Sequence, residues 1–304
     1  MQNELDVQKN ILAEVVDCLC DSEHGMLSWK EKGGRLLPSR DQIIEAAEAL
    51  RSVLFPGYFG ISELNEHNMR FHVGATLDRI LLVMFEQIKR GLCFECDHVG
   101  LECPACLQNA QRITAEFVQR LPRVQHILAT DVHAAYYGDP AAKSADEAIF
   151  CYPGILAITY YRLAHELYCL EVPLIPRMIT ERAHSLTGID LHPGAKIGEE
   201  FFIDHGTGVV VGETCVIGQR VRIYQGVTLG AKSFPLDEKG KPIKGIPRHP
   251  IVEDDVVIYS GATILGRVTI GREAVIGANV WITRDVPPKS LVTRSGEEGS
   301  STGR

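Results

Sequence analysis

An all-helical first part followed by a parallel β-helix is the fold class this sequence predicts, and three observations carry the prediction. Apolar residues recur every six positions through Val252, Ile258, Ile264, Ile270, Ile276 and Ile282, and upstream through Val211, Ile217, Ile223 and Leu229. A second apolar residue follows four positions later: Val256, Ala262, Val268, Ala274, Val280 and Val286, with Cys215, Val221 and Val227 upstream. Before residue 189 the periodicity is helical and no strand alternation stands out. A sustained period of six marks a solenoid whose coils of about 18 residues each hold three short strands. The first residue of each beat should point into the prism and the smaller companion should sit near a corner. Gly212, Gly218, Gly271, Gly277 and Asn279 are expected to take the tight turns. The expected division is helical 1–186, β-helix 187–290 and a disordered, Gly/Ser/Glu-rich tail 291–304.

The helical elements follow from apolar spacing and punctuation. Residues 4–22 and 39–55 read as amphipathic helices, the second with Ser39 as N-cap and Pro56-Gly57 as its stop. A long helix is predicted over 61–92, then helices over 107–121 and 124–137, and a further pair over 149–170 and 174–186. Pro153-Gly154 and Pro173 punctuate that last pair. Between the long helix and the next lie Cys93, Cys96, Cys103 and Cys106, two CxxC pairs that could give four thiolates to a structural zinc. The spacer is shorter than in common zinc ribbons, His98 is a substitute ligand, and a metal-free cysteine-rich turn is the other reading. Cys18 and Cys20 are ordinary helix residues that face different ways.

Composition excludes several classes. A net charge of −8, with no basic run carrying interleaved aromatics, argues against nucleic acid as a partner. No apolar stretch reaches the ~18 residues of a membrane span. The opening MQNELDVQKN lacks the layout of a signal peptide, so a cytoplasmic protein is expected.

Polar residues that break the beat point to chemistry. Asp204-His205 abuts the apolar Ile203, and an imidazole does not enter the prism cheaply, so His205 belongs on an outer face or corner. Asp190, Asp204 and Glu213 are its acidic neighbours in sequence, and a second pair, Arg248-His249, lies further on. Val252 comes 23 residues after Leu229, so residues 231–248 form a loop extruded from one corner, of a length usually tied to function.

The segments DLHPGAKIG, IDHGTGVVVGET and YQGVTLGA, the loop closing in RHP and the run VPP resemble serine O-acetyltransferase, a hexapeptide-repeat acyltransferase, in its long bacterial form. DPA at Asp139–Ala141 and YRLAHEL at Tyr161–Leu167 resemble the same family. The resemblance implies a left-handed β-helix and transfer of acetyl from acetyl-CoA to the L-serine hydroxyl, opening cysteine biosynthesis. It implies His205 as general base and Asp190 as the group that orients it. Arg248 would grip the serine carboxylate, with Glu213 in the same pocket. Asp139 and Asp204 would hold the ammonium, and His249 would line the pocket and assist the proton transfers or the oxyanion. Acetyl-CoA would lie along Gly230, Ala231, Ser260, Gly261 and Ala278. The family's usual segment after VPP is not recognisable, which leaves Lys289, Arg284 and Arg294 as cations for the CoA 3′-phosphate. No catalytic cofactor is implied, only acetyl-CoA as co-substrate. A homotrimer, or a hexamer of two trimers, is implied, with sites shared between chains.

A serine-like pocket would also admit L-cysteine as a feedback inhibitor. The end SGEEGSSTGR lacks the apolar anchor of family members that dock into cysteine synthase, so no stable complex with that enzyme is expected. An acyltransferase for another acceptor is the nearest alternative. A zinc hydratase would need His192, His205 and His249 to converge on one metal.

Overall fold

A computed structural model of the chain describes residues 2–20, 36–60, 63–96, 103–233, 235–294 and 299–300. The helices among them are α1 (Gln2–Cys20), α2 (Arg40–Leu54), α3 (Met69–Glu95), α4 (Pro104–Gly138), α5 (Ala145–Cys151), α6 (Pro153–Cys169) and α7 (Ile175–Thr187). None is long and apolar enough to cross a membrane. Ser39 caps α2 as expected, its hydroxyl accepting from the Gln42 N–H at 3.4 Å. The helix predicted from residue 61 starts instead at Met69. Asn65 and Asn68 bond each other's backbone at 2.8 and 3.2 Å, a local turn that competes with the helix. The two helices predicted over 107–137 are one, running through Pro122. An interior proline costs ~3 kcal/mol. Here Phe117, Leu121, Val124 and Leu128 are buried on both sides of it, and that packing holds the helix together.

The second part is the expected solenoid. Its first coil holds β1 (Asp190–Leu191), β2 (Lys196–Ile197) and β3 (Phe202–Asp204). The second holds β4 (Val210–Val211), β5 (Val216–Ile217) and β6 (Arg222–Tyr224), and the third β7 (Thr228–Gly230), β8 (Ile251–Val252) and β9 (Val257–Ile258). The fourth holds β10 (Thr263–Leu265), β11 (Thr269–Ile270) and β12 (Val275–Ile276). The last partial coil holds β13 (Trp281–Ile282) and β14 (Ser290–Val292), and β15 (Gly299–Ser300) pairs antiparallel with β14. Corresponding strands stack in parallel as three sheets, with in-register partners such as Thr263 and Trp281 or Val257 and Val275. Residues 291 and 292, expected in the disordered tail, are instead strand: Leu291 and Val292 pair with Val275 and Ile276, and Val292 packs on the core, while residues 295–298 and 301–304 of the expected tail lie outside the described residues.

Both apolar residues of each beat point inward. Ile258, Ile264, Ile270 and Ile276 are buried, and so are Val256, Ala262, Val268 and Ala274, so the companions fill the prism rather than its corner. The corners follow a different rule from the one expected. Gly208, Gly226, Gly261 and Asn279 have positive φ and stack at one corner; the last three each bond to the residue before the neighbour below, and Gly208 bonds to the Gly188 carbonyl. Glu200, Arg220, Asp255, Glu273 and Lys289, none a glycine, take the same conformation at a second corner; the last four bond to the residue before the neighbour below, and the Glu200 N–H donates to the Thr130 hydroxyl. Gly212, Gly218, Gly271 and Gly277 are absent from both sets. They are small because neighbouring coils press on them: a Cβ on Gly218 would lie 2.3 Å from Asp254 Oδ1 and one on Gly271 2.5 Å from Pro288 N.

The helices close the open end of the first coil. Along α6, Arg162 donates to the carbonyls of Ile197 and Gly198, Tyr161 to that of Ala195, and His165 Nδ1 lies 2.7 Å from that of Pro193. Arg162 also forms a two-point ion pair with Asp131 of α4, which accepts the Phe201 N–H. An unpaired strand edge would otherwise be left facing the helices. Gly154, at the start of α6, is pressed onto β3: a Cβ there would lie 2.4 Å from the Ile203 carbonyl oxygen.

Candidate active site

Two groups of polar residues occupy two different corners of the prism. The first gathers where α4 and α6 meet β3. His205 follows β3 in a left-handed conformation (φ 56°), and its side chain is 72 % exposed. Its Nδ1 lies 3.6 Å from Asp204 Oδ1. Asp139, the residue that ends α4, accepts from the Tyr152 hydroxyl at 2.5 Å and from the Ala141 N–H at 2.8 Å. The Tyr152 bond, then the Ala141 bond, and then the nearby His205 and Arg222 hold this carboxyl below its usual value. Burial, and then the Asp139 carboxylate, push the Tyr152 phenol up. Tyr152 therefore stays protonated and clamps an ionised Asp139 beside His205.

The second group lies one face away, where the extruded loop rejoins the coil. Arg248 bonds Glu213 Oε2 at 2.6 Å, while its Nε is buried with no partner. Thr214 organises the turn, its hydroxyl accepting from the backbone N–H of Arg248 at 2.9 Å and of His249 at 3.2 Å. The Thr214 N–H donates to His249 Nδ1 at 3.1 Å, so the neutral ring carries its proton on Nε2. Burial first, then the Arg248 charge, lower this imidazole to about 4. Gly212 makes room for it: a Cβ there would lie 2.1 Å from His249 Cδ2. His192 is beside the same group, lowered to about 4 by burial and then by Arg177. Burial and Glu213 raise the Tyr168 phenol at its edge.

The expected pairing of Asp190 with His205 is not made in the single chain. No ion pair or hydrogen bond joins them among the described residues, and the acid beside the ring is Asp204. An Asp190 oxygen instead lies within 4.8 Å of Glu181 and His184 on α7. His192, His205 and His249 do not converge as a zinc hydratase would require. The groupings of potential ligands among the described residues are Glu181–His184–Asp190 and Cys93–Cys96–Cys106.

The small residues expected along acetyl-CoA divide between corners. Ser260, Gly261 and Ala278 belong to the corner that bears His205, whereas Gly230 is bonded to Gly266 at the corner of Arg248. A Cβ on Gly261 would lie 2.3 Å from Asn279 Oδ1, so the coil itself requires this glycine. Lys289 stands on the remaining corner with its Nζ 3.7 Å from Glu273, away from both groups. The extruded loop is a small hairpin held by Asp237, whose carboxylate accepts from the N–H groups of Lys239 and Lys241 at 2.9 and 2.8 Å.

Residues 249–284 match the bacterial transferase hexapeptide model of six repeats, and residues 208–234 match the hexapeptide repeat of succinyl-transferase. The plasmid serine acetyltransferase of Synechococcus elongatus is 56% identical over 85% of this chain and 82% of its own. The chain belongs to the serine acetyltransferase family. As a serine acetyltransferase it is an acetyl-transferring enzyme, and its hexapeptide coils fit a left-handed β-helix. The crystal structure of Entamoeba histolytica serine acetyltransferase 1 in complex with L-cysteine covers 85% of this chain and 88% of its own, at 36% identity and a TM-score of 0.71. The soybean enzyme complexed with serine covers 83% and 96%, at 29% identity and a TM-score of 0.53.

Against this family background, sequence reasoning had missed Tyr152, Thr214 and the clamp of α6 on the first coil. A signal for the site was present in the count. Leu191, Ile197 and Ile203 keep the six-residue beat, and then Val211 comes eight residues later. The two extra residues fall where His205 sits.

Proposed function

We propose that this serine acetyltransferase moves the acetyl group of acetyl-CoA to the hydroxyl of L-serine, giving O-acetyl-L-serine and CoA. The reaction would open cysteine biosynthesis in the cytoplasm. His205 removes the hydroxyl proton as the serine oxygen attacks the thioester carbonyl, and the tetrahedral adduct then expels the CoA thiolate, which takes that proton back from the imidazolium. Asp139 and Asp204 receive the substrate ammonium, and Arg248, aimed by Glu213, receives its carboxylate. His249 acts as a neutral donor through Nε2–H toward the developing oxyanion, because Thr214 occupies its other nitrogen. Orientation by Asp190 requires the His205 ring to turn from Asp204 toward β1. L-Cysteine carries the same ammonium and carboxylate as L-serine and competes for the pocket, with the 231–248 loop shifting as it binds.

The observation that carries this reading is the presence of both halves of an amino-acid site on separate corners. A face of about six residues at roughly 3.3 Å per residue separates them by ~15–20 Å, too far for one serine to bridge. The site therefore forms between neighbouring chains of a trimer, His205 from one and Arg248 from the next. The test is L-serine-dependent release of CoA from acetyl-CoA, with L-homoserine as comparison. His205→Ala should lose at least ~100-fold in kcat, the scale of a general base, and Asp190→Asn should lose less. Arg248→Ala should chiefly raise the KM for serine. Near-normal turnover by His205→Ala, or a preference for L-homoserine, would end the assignment.

A further inference from the structure

We propose that Cys93, Cys96, Cys103 and Cys106 bind one zinc ion as a closed four-thiolate site that ties the end of α3 to the start of α4. The acyl-transfer reading does not enter the argument, since these residues lie in the helical part. The sulfurs of Cys93, Cys96 and Cys106 lie within 4.8 Å of one another, drawn from both helices. Tetrahedral zinc with Zn–S near 2.3 Å needs sulfurs about 3.8 Å apart, so a small inward movement completes the site. Cys103, the N-cap residue of α4, stands outside that 4.8 Å group and brings the fourth sulfur from beside the Cys106 and Cys96 thiols.

Helix α4 opens without a side-chain cap, and its first turn leaves N–H groups unsatisfied. The Cys103 sulfur faces the N–H groups of Cys106 and Ala105. Such N–H···S contacts from a helix N-terminus offset the charge that four thiolates leave on one Zn²⁺. Cys93 and Cys106 are buried, which gives a closed site with no open coordination position and hence a structural role. An iron–sulfur cluster would spread the sulfurs wider than they stand, because its own iron and sulfide lie between them. The remaining cysteines do not join the group: Cys18, Cys20, Cys151 and Cys169 are exposed and Cys215 is in the prism.

The full chain, purified without chelator, should carry about one zinc per chain. Replacing zinc with Co²⁺ should give the intense visible bands of a tetrahedral site and a thiolate-to-cobalt charge-transfer band. Stripping the metal should lower Tm by several degrees and expose four reactive thiols, and re-adding Zn²⁺ should restore both. Cys103→Ser, which alters a partly exposed ligand, should bind zinc at least tenfold more weakly while kcat of the folded protein is unchanged. Less than a tenth of a zinc per chain, with Cys93, Cys96, Cys103 and Cys106 titrating freely beside the four exposed cysteines, would overturn the proposal. So would a mass showing Cys103 and Cys106 joined as a disulfide, or a Co²⁺ spectrum without thiolate charge transfer.

Discussion

Removing Arg162 should loosen the helices from the solenoid, and the size of the effect can be worked out. Arg162 and Asp131 have side chains 6% and 0% exposed, joined by two contacts of 3.1 Å. In Arg162→Ala the Asp131 carboxylate loses its counter-charge, and the Ile197 and Gly198 carbonyls lose donors at 2.5 and 2.6 Å. Breaking one side of such a pair typically costs about 3–5 kcal/mol. At ~2 °C per kcal/mol for a long chain, Tm should fall by roughly 6–10 °C. The loss has a pH signature. Burial raises Asp131 to about 6 even with Arg162 opposing it, and without the guanidinium it rises further. A carboxyl raised in the folded state destabilises the fold as pH climbs from its unfolded value, near 3.9, through its folded one. The Tm deficit of the variant should therefore grow between pH 5 and pH 8. Differential scanning fluorimetry at fixed protein concentration measures it. A shift under 2 °C at pH 8, or a deficit independent of pH, would refute the reasoning.

Gly212→Ala places a Cβ 2.1 Å from the His249 ring, so kcat/KM for serine should drop at least tenfold with little change in the acetyl-CoA KM, as steady-state kinetics would report. Equal mixing of His205→Ala and Arg248→Ala chains should rebuild about a quarter of the sites if each is shared between neighbours of a closed ring. No recovered activity after verified subunit exchange would count against a shared site. His192 and His249 are both lowered to about 4, so the unfolded chain gains protons first as pH falls. Stability present above about 6.5 should be lost progressively down to pH 4, with a shallower decline of Tm in His249→Asn.

The interior of the solenoid was legible because every coil repeats the same demand for an inward apolar pair, and a period of six reports it directly. The corners were not, since a left-handed turn at Glu200 or Arg220 leaves no mark in composition. At Arg220 the turn is held by the Glu199 carbonyl of the coil beneath, and at Glu200 by the Thr130 hydroxyl of α4. Asp131 and Arg162 looked like ordinary helix charges, because only the docking of α4 and α6 on the first coil brings them together. Among the residues proposed for the site, His205, Asp204 and Asp139 were picked out through motif resemblance and share one corner, whereas Asp190 faces α7 in the single chain. Thr214 escaped notice because its role lies in backbone bonds, and a hydroxyl in a turn has no distinctive spacing.

His205 and Arg248, the two residues proposed to anchor the two halves of the site, stand where the coil length departs from 18. Asp190 pairs with Val210, a step of 20, and Thr228 with Thr263, a step of 35, and ordinary stacking resumes after each. His205 lies within the first surplus and Arg248 within the second. A parallel ladder that re-enters in register lets a corner grow without disturbing the wall, and doubling the length of a flexible loop adds only about 0.6 kcal/mol of closure entropy. Stability and reactivity are thus encoded in separate stretches of chain. Specificity can be rewritten by editing a corner, leaving the buried columns of valine and isoleucine as they are.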